Sequence, residues 1–383
     1  MALGFAPAIL THLGSLMANN YPGTKIIPSG FMKMLVQNNP KLRVKAINGE
    51  KVSEGPNGMK LNTDGGQIRD VTLKSLPRIT PDQVVDEDNC DNDVGFQYSE
   101  TNLETPLFSK LGFPLEWSFV ERYQAEAAKL TKVGAKPDMV VLEEMLEQIM
   151  HCVSGIVHNM DRKLLAQVVW GVNVVTGNNN VKNININQAG NTLNLSDGVT
   201  EILNDAAENE VVGDLMLAGS GNFNKFNIAK NNIGINAAGI NQGAQNGYSW
   251  YHDVATNVLW GANQVGAFAK GAVGYVDIDR YIAWKRGRHG VSHFGQISLP
   301  IESHVGGAPV MVPFNLQIRE SDCPTEGFDG YETRTMGRGY QVFLSKNFGL
   351  WQSPTSAYQG TDRLAGNNGS YRYAITNTCD SCP

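Results

Sequence analysis

From residue 137 to residue 170 the apolar side chains keep to one face of a helix for about nine turns. Leu142, Met145, Leu146, Ile149, Val153, Ile156, Val157, Met160, Leu164 and Val168 follow the i, i+3, i+4, i+7 spacing. Pro137 stands where a first-turn proline belongs, and Gly171 follows the end. Glu143, Glu144 and Glu147 near the start and Arg162 and Lys163 near the end suit the helix dipole. A helix over 137–170 would be roughly 50 Å long, more than most globular helices reach. The spacing therefore predicts a strut that crosses the molecule. The 3.6-like period and the absence of clear e/g charge pairing set it apart from a coiled coil.

What precedes the strut is of two kinds. Residues 1–41 alternate short apolar stretches with Pro22, Gly23, Pro28 and Gly30. They read as an N-terminal arm with short helices over 6–17 and 31–37, too poor in apolar residues to form a core. Residues 42–80 begin with the alternating run LRVKAI, pass through a polar, glycine-rich tip, and return through IRDVTLKSLPRI. This predicts an extended β-hairpin. A two-stranded ribbon is marginal in water, so the hairpin requires a partner. Its tip residues Glu50, Lys51, Glu54, Asn57, Met59, Lys60 and Asp64 are the candidate contacts to a neighbouring subunit.

After the strut, residues 197–208 form a shorter amphipathic helix, with Val199, Ile202, Leu203 and Ala206 on one face. Leu215 to Ala218 read as a buried strand, and residues 223–230 as a short helix. Residues 231–247 read as a loop, and the chain from Tyr248 onward is β-rich with frequent glycine turns. The class is α+β. Charged residues make up 18% of the chain, below the roughly 25% usual for soluble domains. Such a surface fits a protein that buries much of itself against neighbours. The net charge of -6 provides no global basic field for nucleic acid, so any contact with a genome would be local. No secretory signal or membrane-spanning run is visible, which points to a soluble, cytoplasmically made protein.

The order arm, long hairpin, acidic junction, long helix, mixed lobe and returning strands resembles the major capsid protein of tailed bacteriophages, the Hong Kong 97 fold. The stretches SLPRITPDQVVDEDNCD, SDGVTEILNDAAEN, LMLAGSGNFNKF, WGANQVGAFAKGAVGYVD and LPIESHVGGAPVMVPFNLQIRESDC are similar in detail to phage capsid chains. The resemblance spans nearly the whole chain. It implies an N-terminal arm (1–41), an extended loop (42–80) and a peripheral-domain part (81–174) that carries the spine helix over 137–170. An axial domain (175–300) and a peripheral-domain return with a C-terminal tail (301–383) would follow. It further implies a non-enzymatic subunit that forms pentamers and hexamers around packaged double-stranded DNA, in a virion assembled in the bacterial host cytoplasm. A portal, a separate scaffolding protein and possible cement proteins would be its partners. Residues 1–40 show no charged coiled-coil stretch, so no long N-terminal scaffolding segment is expected to be removed. An encapsulin-like compartment shell is the alternative. A β-helical carbohydrate enzyme is a remote one, because no short repeat recurs and a 34-residue helix would be foreign to a solenoid.

Motifs for chemistry are weak. Gly219-Ser220-Gly221 lies between a strand and a predicted helix, but Asn224 replaces the third glycine of a dinucleotide fingerprint. His289 and His293 are four apart in a β-rich stretch, and His151 and His158 lie on or beside the polar face of the strut; all read as surface histidines. The acidic run Asp86, Glu87, Asp88, Asp91 and Asp93 lacks the glycine of a calcium loop. Lys285, Arg286 and Arg288 form a small basic cluster open to DNA, to an acidic neighbour or to solvent. Of five cysteines, Cys152 falls close to the apolar face of the strut and predicts a buried, inert thiol. Cys90, Cys323, Cys379 and Cys382 lie in loop-like surroundings, and Cys379 and Cys382 form a C-x-x-C pair. Free thiols, a structural zinc site and disulfides formed after release remain open for these four. No other cofactor is expected.

Overall fold

The computed structural model describes residues 30–40, 42–52, 61–63, 68–75, 98–103, 106–115, 117–130, 132–136, 138–189, 192–193, 196–209, 211, 215–220, 242–245, 248–284, 287–289, 292–301, 310–321, 339–354 and 366–378. Helix α1 (Gly30–Gln37) leads into β1 (Arg43–Ile47), β2 (Glu50–Lys51), β3 (Leu61–Thr63), β4 (Val71–Ser75), β5 (Ser99–Leu103) and β6 (Leu107–Leu115). Helices α2 (Trp117–Leu130) and α3 (Met139–Ala166) follow. Then come β7 (Lys182–Ala189), β8 (Thr192–Leu193), α4 (Ser196–Glu208), β9 (Leu215–Gly219), β10 (Gln242–Gln245), β11 (Tyr248–His252), α5 (Ala255–Leu259), β12 (Gln264–Ala269) and β13 (Val273–Asp277). A 3-10 turn (Ile278–Tyr281) leads to β14 (Ile282–Trp284), β15 (Gly287–His289), β16 (Ser292–Ile301), β17 (Val310–Ser321), β18 (Gly339–Gln352) and β19 (Ser370–Thr378). The class is α+β.

The strut is present, shorter at both ends than the pattern predicts. Asp138 is its N-cap, and the Asp138 carboxylate accepts a hydrogen bond from the Val140 amide at 3.1 Å. Pro137 therefore precedes the cap instead of opening the first turn. The last turn tightens, with the Gln167 and Val168 amides donating to the Leu164 and Leu165 carbonyls. Twenty-eight residues give about 42 Å. Gly171 is not the stop signal. Its amide donates to the Ser370 carbonyl, and a Cβ there would collide with Asn368. The predicted apolar face is buried, with Val168 partly so, and Asp161 is buried with it.

α3 lies across β6 and β18. The close approach is made at Gly155, where a Cβ would stand 3.2 Å from Leu111 Cδ2. Beneath the helix runs a long-stranded sheet in the order β13-β18-β17-β16-β15, with β6 on the other side of β18. The sequence reading does not single out α2. Its Val120, Tyr123 and Ala127 pack into the same core, and the Glu126 carboxylate accepts from the Asp138 amide at 2.6 Å, fixing α2 to the start of α3.

A second, seven-stranded sheet has the order β10-β11-β9-β12-β19-β7-β8. Its strands β9 and β12 are buried on both faces. Leu215, Leu217, Val265 and Ala267 point into a core under α4, while Met216, Ala218, Tyr251 and Phe268 point into the spine core. That is why β9 reads as a continuous apolar run instead of an alternating one. Here the predicted domain limits are corrected. β13, β15 and β16, placed in the axial unit 175–300, belong to the sheet under the spine helix. β19, placed in the return 301–383, is inserted between β12 and β7 in the middle of the other sheet. Residues 242–245, within the stretch read as a loop, form a strand against β11.

The N-terminal arm is corrected too. α1 is core, not arm: Phe31, Met32, Met34 and Leu35 are fully buried against the spine helix and β9. Two remote carboxylates satisfy its first free amides. Phe31 N donates to Asp253 Oδ2 at 2.9 Å and Met32 N to Asp161 Oδ1 at 3.0 Å. The helix predicted over 6–17 lies outside the described residues, as does the one over 223–230.

The hairpin is more than a ribbon. β1 and β4 pair antiparallel as predicted, but Asn48 and Gly49 turn the chain back at once into β2, and β5 adds a fourth strand, giving β2-β1-β4-β5. Asn48 and Gly49 both have positive φ (51° and 78°), the requirement of a tight two-residue hairpin turn. The partner that the ribbon requires is within the chain: Val44, Ile47, Ile68, Val71 and Leu73 pack on Val276, Ile278, Ile282 and Trp351.

Candidate assembly surfaces and a buried ionic cluster

Apolar side chains reach solvent at both ends of the strut. At its start Met139 and Val140 are exposed, Val140 to 72%. Beyond its end Val169 is 64% exposed, held rigidly by two hydrogen bonds to the Gln352 side chain. Beside that end sits α5, anchored where Trp260 Nε1 donates to the Leu165 carbonyl at 3.1 Å and the Trp260 ring meets Trp170 edge-on. α5 shows Val258, 83% exposed, and Leu259, with the exposed Val254 just before it. Two apolar patches about 42 Å apart, fixed to one rigid rod, suit a subunit that touches more than one neighbour.

The sheet face turned away from the strut is mixed. Phe108 and Lys110 are exposed on β6, and the Lys110 ammonium lies 4.1 Å from the Phe343 ring centre and 3.3 Å from Gln317 Oε1. Lysine on an outer strand with Pro114 further along is a common protection against unwanted strand pairing.

Of the predicted hairpin-tip contacts, Glu50 and Lys51 are exposed, but they sit in β2 beside the root instead of at a free tip. Glu54, Asn57, Met59, Lys60 and Asp64 lie outside the described residues. β3, within the same tip, pairs in parallel with β14 of its own chain, Leu61 opposite Ile282. Cys90, Cys323, Cys379 and Cys382, the acidic run and Lys285 and Arg286 also lie outside. Cys152 is buried and free, its thiol pushed up by burial. His151 and His158 are exposed, and the described residues contain no group of three or more potential metal ligands. Arg288 and His289 lie in β15, paired antiparallel with β16 so that Arg288 stands opposite His293, and the two histidines are therefore not on a helix. Ser220 is buried and hydrogen-bonded to Thr256 Oγ1 at 3.1 Å, which makes it a structural hydroxyl.

One ionic cluster lies apart from every predicted site. In β18 the side chains of Tyr340, Val342, Leu344, Lys346, Phe348 and Leu350 alternate inward, so a lysine stands where the strand period demands an apolar residue. That mismatch is the signal that would have found it. Lys346 is 0% exposed. Its ammonium donates to Asp277 Oδ1 and, at 2.7 Å, to the Pro313 carbonyl, and it lies 3.5 Å from Asp279 Oδ2. Asp279, also 0% exposed, is held by the amide and side chain of Asn347, each at 2.8 Å. Asp277 Oδ2 has no hydrogen-bond partner among the described residues. Burial pushes the Asp277 carboxyl above the usual carboxylate range, against the opposing pull of Lys346. Burial likewise pushes the Tyr275 hydroxyl well up.

No family model and no curated protein sequence matches the chain. Among solved structures, it is similar to the cyanophage A-1(L) capsid asymmetric unit, with TM-score 0.41, 10% identity, and 91% of this chain and 93% of that one covered. It is also similar to a chain of Mycobacterium phage Adephagia, with TM-score 0.39, 10% identity, and 85% and 90% covered. A third likeness is to a virus-like particle from Pyrococcus furiosus, with TM-score 0.31, 9% identity, and 73% and 81% covered. Superpositions this loose describe a likeness and no more.

Proposed function

We propose that this chain is the shell-forming subunit of a tailed-bacteriophage head, built on the Hong Kong 97 plan, with a structural and non-enzymatic role. The order and placement of its own parts support the reading above all else. A hairpin is rooted on the body of the subunit, a rod about 42 Å long stiffens a long-stranded sheet, and a second lobe is closed by a strand from late in the chain. The exposed apolar patches at both ends of the rod are where neighbours in a pentamer or hexamer would bear on it. Repeated symmetric contacts close the shell, so no single contact has to be strong. The shell encloses double-stranded DNA, is assembled in the host cytoplasm, and is found in the virion. Its partners are other copies of itself, a portal and a separate scaffolding protein, with cement proteins as possible additions. No helix among the described residues is long and apolar enough to cross a membrane.

The test is electron microscopy of the chain expressed alone and with its scaffold. Hollow, regular particles tens of nanometres wide are expected, with nuclease-protected DNA in those from infected cells. A chain that stays monomeric under every assembly condition overturns the proposal. Particles filled with an enzyme would establish an encapsulin-like compartment instead.

A further inference from the structure

We propose that Lys346 and Asp277 join through an intramolecular isopeptide bond between β18 and β13, formed without any other enzyme, with Asp279 as the proton carrier. The proposal does not depend on the shell reading. The nucleophile and electrophile are already in contact, because the Lys346 ammonium donates to Asp277 Oδ1. Both are buried: Lys346 is 0% exposed and Asp277 9%, with the Phe314 ring 5.8 Å from the ammonium. A third group stands within reach. Asp279 Oδ2 is 3.5 Å from Lys346 Nζ, and the two bonds from Asn347 fix its orientation.

The chemistry balances within the cluster. The step requires Asp277 in its protonated form, which burial favours, and uses the Asp279 carboxylate as the base. Asp279 takes a proton from the Lys346 ammonium, and the amine attacks Asp277 Cγ. The tetrahedral centre loses a proton from nitrogen to its own hydroxyl, which departs as water. An amide remains, and Asp279 ends protonated. Reactants and products are both neutral overall, and no oxidant, metal or leaving group from outside is consumed. The carboxyl oxygen that departs corresponds to Asp277 Oδ2, which has no hydrogen-bond partner among the described residues. Asp277 also lines a cavity of about 230 Å³, with Tyr275 and Arg280, which gives the released water a place to go.

A plain buried ion pair accounts for the same contacts, and mass decides between the two. Folded wild-type protein, purified and then denatured, is weighed intact. The expected value is the sequence mass less one water. A tryptic digest should show no cleavage after Lys346 and a branched peptide joining Lys346 to Asp277. Asp279→Asn should fold and show the unreduced mass. A wild-type protein of full sequence mass, cleaved normally after Lys346, overturns the proposal without reference to any variant. If Asp279→Asn still forms the bond, the role given to Asp279 is overturned. Lys346→Met checks the assignment from the other side, because any remaining loss of water would then lie elsewhere.

Discussion

Gly30 opens α1 directly against the backbone of His252, and a methyl group there would fall on the His252 carbonyl. Backbone cannot step aside as a side chain can. Gly30→Ala should therefore lower stability by about 1–3 kcal/mol, read as a lower urea midpoint. Buried tyrosines carry a second residue-scale expectation. Burial pushes the hydroxyls of Tyr123, Tyr275 and Tyr373 upward. The sign follows from linkage: their folded values lie above the unfolded value of about 10. Their contribution to stability is intact below that pH and falls as pH rises through the range above it. In an alkaline titration their tyrosinate absorbance should appear together with loss of helix signal. Early, separate ionisation would refute it. At this scale the sequence reading identified the inward face of the strut, because a period is local. It could not identify Asp161 and Asp253 as caps of α1. The amides they serve lie 129 and 222 residues away along the chain.

Among elements, α3 is the best test of the packing account. Ile149 is fully buried at its centre. Ile149→Ala should cost about 2–5 kcal/mol through lost burial and a residual cavity. Asp138→Ala should cost nearer 1 kcal/mol, because one capping bond is lost while the packed face stays. Equal costs, measured by denaturant unfolding, would contradict the account. The strut and the paired strands β1 and β4 were legible because each repeats its own period for several residues. α2 is hard to see in the sequence because only Val120, Tyr123 and Ala127 carry its helical spacing, and three positions make a weak pattern. Gly171 misled for a physical reason. A glycine after a helix usually marks a left-handed cap, but this one makes room for Asn368.

The whole molecule is divided where sequence order cannot show it. β19 lies between β12 and β7, so its Tyr371, Tyr373 and Ile375 complete a core begun far earlier in the chain. Removing residues 370–378 should unfold the lobe of β7 to β12 and leave the core of α2, α3, β6 and β16 to β18 protected, as hydrogen exchange would reveal. Uniform loss of protection would mean that the two cores are one cooperative unit. Deleting residues 54–65 should leave a folded chain, since the hairpin root keeps its own core, yet prevent normal shells from forming. Normal particles from that deletion would sink the assigned role of the tip. The overall plan was visible as an order of parts. The limits between lobes were not, because strand order in a sheet is fixed by pairings between distant segments.

The late arrival of β19 also sets a clock on synthesis. Domains tend to fold as they emerge, earliest segments first. Here the seven-stranded sheet has a gap at its centre until residues 370–378 have left the ribosome. Until then β12 and β7 each present an open edge, and the lobe cannot take its final shape. A chain that stops before residue 370 therefore lacks the strand that joins β12 to β7. Strand order thus delays the closing of this lobe until β19 has been made.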